Sequence, residues 1–466
     1  MRTRFPALGA AGALLAAGLA STAMAAPVEL NGYFRSSGGS SGDGGQQICF
    51  RLPGAAVWFR LGNECDLYAG LTLTTDLGKV DGTNFKGHFT LAQGTQQLGN
   101  WEPTTPSFRE AYVEAIDFGA AMNMPALKGS TLWMGKRFNQ NEDIHMLDYA
   151  YLDSGFGSGA GLNDVNVGFG KFSYGYLRTG EANYNATAGD NGFSPAIVDG
   201  GATSVTTHAF RLREVGVNPG GNLGLTLALV RANNRAAVAG GPDREGKNGV
   251  SLALTHQQDD LFGLGGFNKA GIQYVTGAAG LQLSALPGFT ANGHKGYLLF
   301  DHWVVEPKGV PFTASMVAGY RDERLDQTGS TAQSHYKEFF IGARPQYHLN
   351  NIWSLMSEVG YQEVKPQDAG VSGDTRKLLK LTVGTQFSMG SSIWSRPALR
   401  FFATYAKWND AAAAAGVADA AGLGGNPLNG ANRGPVCTGR DCNTYVPAYD
   451  NKRNALGYGV QVEAWF

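Results

Sequence analysis

The chain has 466 residues, with 37 Lys and Arg against 38 Asp and Glu, so its net charge is −1 and its pI about 6.7. That balance argues against a general nucleic-acid binder. Sixty-seven glycines, 11% aromatics and a mean hydropathy of −0.18 suit a sheet with one apolar and one polar face, because the two faces average out.

Arg2 and Arg4 precede an apolar stretch from Phe5 to Leu19, and Ala23-Met24-Ala25 follows as a small-x-small triplet. This is the pattern of a secretory signal peptide, with cleavage expected after Ala25 or Ala26. Residues 26–466 then form one exported domain in an oxidising compartment. Beyond the leader no run reaches the roughly 20 apolar residues of a membrane helix. Ala411 to Gly425 comes nearest, but Asp419 and several glycines interrupt it, and it reads as a small-residue loop. The chain is therefore either soluble or crosses a membrane as strands.

Period-two alternation recurs from end to end. Val28, Leu30 and Phe34 oppose Glu29, Asn31, Tyr33 and Arg35, while Leu67, Ala69, Leu71 and Leu73 oppose Tyr68, Gly70 and Thr72. Leu223, Leu225, Leu227 and Leu229 form an apolar row. Leu379, Leu381, Val383, Thr385 and Phe387 form another, opposite Lys380, Thr382 and Gln386. At the C-terminus Tyr458, Val460, Val462, Ala464 and Phe466 oppose Gly459, Gln461, Glu463 and Trp465. Such alternation predicts strands, and five stretches without an amphipathic helix predict an all-β fold. A secreted sandwich would show the same alternation, but its core would leave inward Glu, Arg, Lys and Gln unpaired. A transmembrane antiparallel β-barrel of 16 to 18 strands keeps them wet. Its long loops, extracellular in such barrels, are expected at 180–205, 231–248, 320–336 and 408–454.

Four cysteines form two local pairs, Cys49 with Cys65 and Cys437 with Cys442. Locality favours disulfides 49–65 and 437–442. A zinc site is the competing reading, although neither pair has a histidine at ligand spacing, and no cofactor or metal is expected. Closing the 15 residues between the first pair stabilises a loop by about 3 kcal/mol in the chain-entropy model.

Tyr33, Tyr68 and Trp465 fall on the polar face of their strands, beside Arg35, Thr72 and Glu463. Aromatics at a lipid interface belong on the outer face. A ring in a wet lumen either packs under an infolded loop or stacks on the apolar C–H face of a sugar whose hydroxyls seek charged partners.

Several segments resemble the maltoporin family of carbohydrate-selective outer-membrane porins. They are Gly32-Tyr33-Phe34-Arg35-Ser36, Arg60-Leu61-Gly62-Asn63-Glu64-Cys65, Phe108-Arg109-Glu110, Gly135-Lys136-Arg137-Phe138, Asp143-Ile144-His145-Met146 and Ser392-Ile393-Trp394-Ser395-Arg396-Pro397. The resemblance runs from residue 28 to the C-terminus and is weakest in the middle third and after Trp408. It implies an 18-stranded barrel in the bacterial outer membrane, a homotrimer, and a lumenal slide of rings at Trp101, Tyr68, Tyr33, Trp465, Trp394 and Phe267. Trp101 would reach into the neighbouring pore, and Phe267 rests on the short match Gly266-Phe267-Asn268-Lys269. A polar track for sugar hydroxyls would be Arg35, Arg60, Arg109, Asp143 and Asp148. The family's first-loop disulfide maps onto Cys49 and Cys65.

Three positions depart from the family. Gly70 stands where a track glutamate is found, Asn141 replaces a constriction arginine, and Ala150 replaces the tyrosine that narrows the pore. All three remove bulk or charge and imply a wider constriction; sucrose-type relatives also carry a smaller polar residue at the Asn141 position. The expected function is facilitated diffusion of maltose, maltodextrins or related oligosaccharides. A sucrose-type or broad sugar porin and a general diffusion porin are the alternatives. An outer-membrane enzyme lacks support: no Gly-x-Ser-x-Gly elbow between a strand and a helix and no His-Glu-x-x-His occurs, and His145 beside Asp143 and Asp148 reads as structural. A secreted lectin would have to be soluble without detergent.

Overall fold

The computed structural model describes residues 28–42, 44, 47–95, 106–152, 156–179, 204–233, 246–281, 294–325, 334–367, 373–420 and 452–466. The expected leader, Trp101 and the Cys437–Cys442 pair lie outside the described residues.

The strands follow one another along the chain. The first nine are β1 (Val28–Ser41), β2 (Leu67–Val80), β3 (Thr83–Thr95), β4 (Ser107–Ile116), β5 (Thr131–Phe138), β6 (Glu142–Ile144), β7 (Tyr149–Leu152), β8 (Phe156–Asn166) and β9 (Lys171–Thr179). Then come β10 (Val205–Asn218), β11 (Gly221–Ala232), β12 (Gly249–Asp259), β13 (Phe267–Thr276), β14 (Lys295–Val305) and β15 (Phe312–Leu325). The last five are β16 (Ser334–His348), β17 (Trp353–Pro366), β18 (Arg376–Ser388), β19 (Ala398–Trp408) and β20 (Asn454–Trp465). All but β6 and β7 form one 18-stranded antiparallel sheet, and β1 closes it by pairing with both β2 and β20. Closure leaves no sheet edge unpaired.

Burial is inverted relative to a water-soluble domain. Leu379, Leu381 and Val383 are 41–50% exposed, whereas Lys380 and Thr382 between them are at most 1% exposed. Val28, Leu30, Tyr458 and Val460 are likewise exposed, and Gln461 and Glu463 buried. The predicted parity therefore holds in each stretch: leucines and valines face outward, as a hydrocarbon environment requires, and polar groups pair inside.

Most turns at one end are short. β2 and β3 are joined by Asp81 and Gly82 alone, both at positive φ (47° and 89°), as the tight hairpin turn matching strand twist demands. Connections at the other end are long, spanning 42–66, 180–204, 233–248 and 409–453. Two expectations need correction. The loop expected at 320–336 begins and ends in strand, since β15 runs to Leu325 and β16 starts at Ser334. The small-residue loop expected from Ala411 is a helix over Asp410–Ala420. Alanine loses least on entering a helix, and Asn409 caps it by accepting the Ala412 N–H at 3.1 Å.

Candidate functional site: the lumen

Two segments fold inward from the long-loop end. In the first, Ile48, Phe50, Leu52, Val57, Phe59 and Leu61 are buried although they lie outside any sheet. Their backbone groups find partners on wall side chains. The Ala56 N–H donates to Glu338 Oε2 (3.0 Å) and the Leu61 N–H to Glu358 Oε1 (3.1 Å). Lys380 Nζ donates to the Leu61 carbonyl (2.6 Å), Gln362 to that of Val57 (2.7 Å) and Arg376 to that of Pro53 (2.9 Å). These bonds to the wall stabilise a non-repetitive segment at this depth, where an unpaired backbone group is costly. Asn63 staples it internally, donating to the carbonyls of Phe50 (2.8 Å) and Phe59 (3.0 Å). Cys49 and Cys65 are joined as a disulfide, which removes the zinc reading for that pair. The Phe59 ring fills the space above Gly342 and Gly360, where added Cβ atoms would lie 2.1 and 2.0 Å from it.

The second infolded segment is the β6–β7 hairpin with a 3-10 turn at His145–Leu147. Ile144, Met146, Leu147 and Tyr149 pack in one cluster with Val57 and Phe59. Asp148 holds the turn open at φ 50°, a left-handed conformation that aspartate tolerates. Glu142 fixes the hairpin to the wall, accepting from Lys269 Nζ (2.9 Å) and Arg211, and also accepts from the hairpin's own Tyr151 hydroxyl (2.6 Å). The two segments meet where the Arg60 N–H donates to the Met146 carbonyl (3.2 Å).

Around that junction four guanidinium groups interleave with four carboxylates. Arg35 pairs with Asp66 (2.7 Å), Asp148 (2.8 Å) and Glu64 (3.1 Å). Arg60 lies 2.6 Å from Glu64 and 3.1 Å from Glu463, and Glu463 also receives Arg396 (2.7 Å) and Arg400 (3.2 Å). The His145 ring sits in this network, with Nε2 3.0 Å from Arg396 and 3.2 Å from Glu463. Burial and the neighbouring Arg60 push its pKa down to about 4, so it is neutral at ordinary pH. Burial raises the Asp148 carboxyl, but Arg60 and Arg35 outweigh it and hold the pKa down at about 2.

Aromatic rings border the charges. Strand pairing sets Trp465, Tyr33, Gly70 and Ala92 in one row across β20, β1, β2 and β3, and Glu463, Arg35, Tyr68 and Gly94 in an adjacent one. The Tyr33 and Tyr68 centroids are 6.0 Å apart. The His145 ring lies 5.5 Å from Trp465 and 5.9 Å from Trp394, and the Arg396 guanidinium is 4.0 Å above Trp465. The Tyr33 hydroxyl donates to Glu463 (3.1 Å) and accepts from Arg60 (2.8 Å). Tyr68 lies nearest the long-loop end, Tyr33 and Trp465 share the next row, and Trp394 sits in the turn between β18 and β19 at the other end.

The structure thus brings Tyr33, Tyr68, Trp465, Trp394, Arg35, Arg60 and Asp148 together. Phe267 stands on β13 beside His302, 5.4 Å between centroids. Its turn is tied to that of Trp394 through Glu306, whose N–H donates to Leu264 and whose carboxylate accepts from Ser392 and the Ile393 N–H. Asp143 and Asn141 are exposed on the hairpin, and Ala150 pairs with Asp143. At Gly70 a Cβ would meet the Tyr68 ring at 3.7 Å. Arg109 does not join the cluster. A bulge skips it in the β3–β4 pairing, and its guanidinium lies over the rings of Phe138 (4.7 Å) and Phe156 (5.4 Å). Arg396, Arg400, Glu64 and Asp66 are members that the candidate set did not contain. Glu463 was legible as inward by parity alone.

The family described as LamB porin matches residues 28–466. Among solved structures, OmpT of Vibrio cholerae is 10% identical, over 94% of this chain and 99% of its own, with a TM-score of 0.39. OccAB2 of Acinetobacter baumannii is 11% identical, over 94% and 98%, with a TM-score of 0.46. OccK3 of Pseudomonas aeruginosa is 9% identical, over 94% and 95%, with a TM-score of 0.43.

Proposed function

The chain belongs to the LamB porin family and is a multi-pass β-barrel of the bacterial outer membrane, a channel rather than an enzyme, and we propose that its pore selects sugars. The observation that carries this reading is the run of Tyr68, Tyr33, Trp465 and Trp394 beside the arginines and carboxylates of the lumen. Rings offer a stacking face to the C–H side of a pyranose, while Arg35, Arg60 and Asp148 offer charge-assisted hydrogen bonds to its hydroxyls. Asp143 extends that polar side. Trp101 and Phe267 would prolong the slide at its two ends, Trp101 by reaching across the subunit boundary of a homotrimer. Residues 1–25 would be the export signal and 26–466 the mature porin.

A facilitating channel must bind weakly. A millimolar site corresponds to about −4 kcal/mol, and with association near ~10⁶ M⁻¹s⁻¹ it releases its sugar roughly 10³ times per second. Overlapping stacking sites of modest strength meet that requirement better than one deep pocket. Gly70, Asn141 and Ala150 leave the narrow region with little bulk, which favours broad acceptance of maltose, maltodextrins and sucrose-like oligosaccharides over strict selection.

Single-channel conductance in a planar bilayer, titrated with maltotriose and then sucrose, tests the proposal. Saturable block at millimolar sugar supports it and ranks the substrates. Ohmic current indifferent to both sugars would make the protein a general diffusion porin.

A further inference from the structure

Basic residues cluster on the outer surface at the long-loop end of β4 to β11. Lys136 shares its face of β5 with Met134, which is 67% exposed, while Trp133 on the other face is buried. Arg178 follows the exposed Tyr176 on β9, and Arg231 follows the exposed Leu229 on β11, both opposite buried inward residues. Strand register sets Lys136, Ser158, Arg178, Thr206 and Arg231 in one cross-strand row. Basic side chains thus recur at every second strand, about 10 Å apart at the usual strand spacing. Arg109 adds a fourth cation beside Lys136: it lies over Phe156 at 5.4 Å and Lys136 Nζ over the same ring at 5.3 Å.

Among the described residues none of these four cations has a carboxylate partner. Lys136 donates to the Phe108 carbonyl and Arg178 to the Ser204 hydroxyl. Elsewhere on the rim some cations are paired: Asp322 with His335 and Lys337, and Glu363 with Lys377. Unmatched positive charge on a lipid-facing surface is unfavourable unless an anion meets it. Exposed apolar groups adjoin the cations, among them Phe108, Met134, Tyr176 and Leu229.

We propose that this row is a docking site for a phosphorylated lipid of the outer leaflet, its phosphates held by Lys136, Arg178 and Arg231 and its acyl chains lying along the apolar surface beside them. The long loops mark the extracellular end of such a barrel. Because barrel strands tilt, the row climbs obliquely from the edge of the hydrocarbon into the headgroup layer. Ser158, small and exposed between Lys136 and Arg178, leaves room for a headgroup to approach the sheet.

Full-length protein in phosphatidylcholine nanodiscs, doped with diphosphorylated or dephosphorylated lipid A, is examined by native mass spectrometry for retained lipid. The diphosphorylated form should be retained at least tenfold more, and K136Q/R178Q/R231Q should abolish the preference. The paired-cation variant K337Q/K377Q should keep it, and all variants should conduct as the wild type does. Equal retention of both lipids, or an unchanged preference in the triple variant, would overturn the proposal. Equal competition by millimolar inorganic phosphate would reduce the row to a simple anion site. A change in oligomeric state without a change in lipid retention would assign it to a subunit contact instead.

Discussion

Arg60 and Glu463 stand 3.1 Å apart and join the first infolded loop to the last strand of the barrel. Glu463 is also the partner of Arg396 and Arg400, so a single carboxylate faces three guanidinium groups. Glu463→Gln should leave those cations under-neutralised, shifting the reversal potential toward anion selectivity. It should also lower stability by about 1–3 kcal/mol, the usual range for losing charged hydrogen bonds. Reversal potentials in a salt gradient and melting in detergent would read both effects, and wild-type selectivity would show that the network does not set the pore's charge.

Each lumenal ring should contribute separately to sugar binding. Aromatic contacts are worth about 0.5–1.5 kcal/mol, so Tyr68→Ala or Trp394→Ala should raise the half-blocking maltotriose concentration roughly two- to twelvefold. Current-noise titration of the three proteins would measure it. Equal block in all of them would return the rings to a packing role.

Phe59 rests on Gly342 and Gly360, with no room for a Cβ at either. Gly360→Val should expel the ring and lift the first loop off the wall, costing about 1–3 kcal/mol as overpacking does. Open-channel conductance should rise. Adding Phe59→Ala should restore quiet, wild-type current, and failure of that rescue would mean the loop is anchored mainly by its hydrogen bonds.

The disulfide spans 16 positions of sequence between Cys49 and Cys65. Its loss, by Cys49→Ser, should loosen the first loop by about 3 kcal/mol on the chain-entropy account while the barrel wall survives. Limited proteolysis should then cut between residues 49 and 65 with the remainder intact. Unaltered resistance would assign the loop's rigidity to its wall contacts.

His145 is neutral in the lumen, with its pKa pushed down to about 4. An unfolded histidine takes up a proton near pH 6.5, so the unfolded chain binds more protons between those values. Stability should fall as pH drops from about 6.5 through 4 and then level off. His145→Gln should flatten that part of the melting-versus-pH curve. Parallel curves for the two proteins would remove His145 from the acid response.

Parity carried much of this architecture. Period-two alternation alone places Tyr33, Arg35, Tyr68, Glu463 and Trp465 inward, because a strand can turn only every second residue to one side. Arg109 escaped that logic. The bulge between Thr90 and Leu91 on β3 and the skipped residue on β4 shift the register locally, and no residue pattern announces it. The infolding of residues 47–66 was hidden for another reason. Its partners, Glu338, Glu358 and Lys380, lie some 280 to 320 positions away, where local sequence has no reach. The helix at Asp410–Ala420 is obscured in the sequence by Gly416 and Asp419, which interrupt a run of alanines that favours it.

Those distant partners impose an order on assembly. The first loop is made early, yet the wall groups that hold it belong to β16, β17 and β18, and the seam that seals the cylinder joins the first strand to the last. Contacts of such long sequence separation form late. A nascent chain therefore carries its own constriction as a loose tail until nearly all of it has been inserted. The narrowing of the passage and the sealing of the wall then arrive together, so a half-built wall has no gate to misplace.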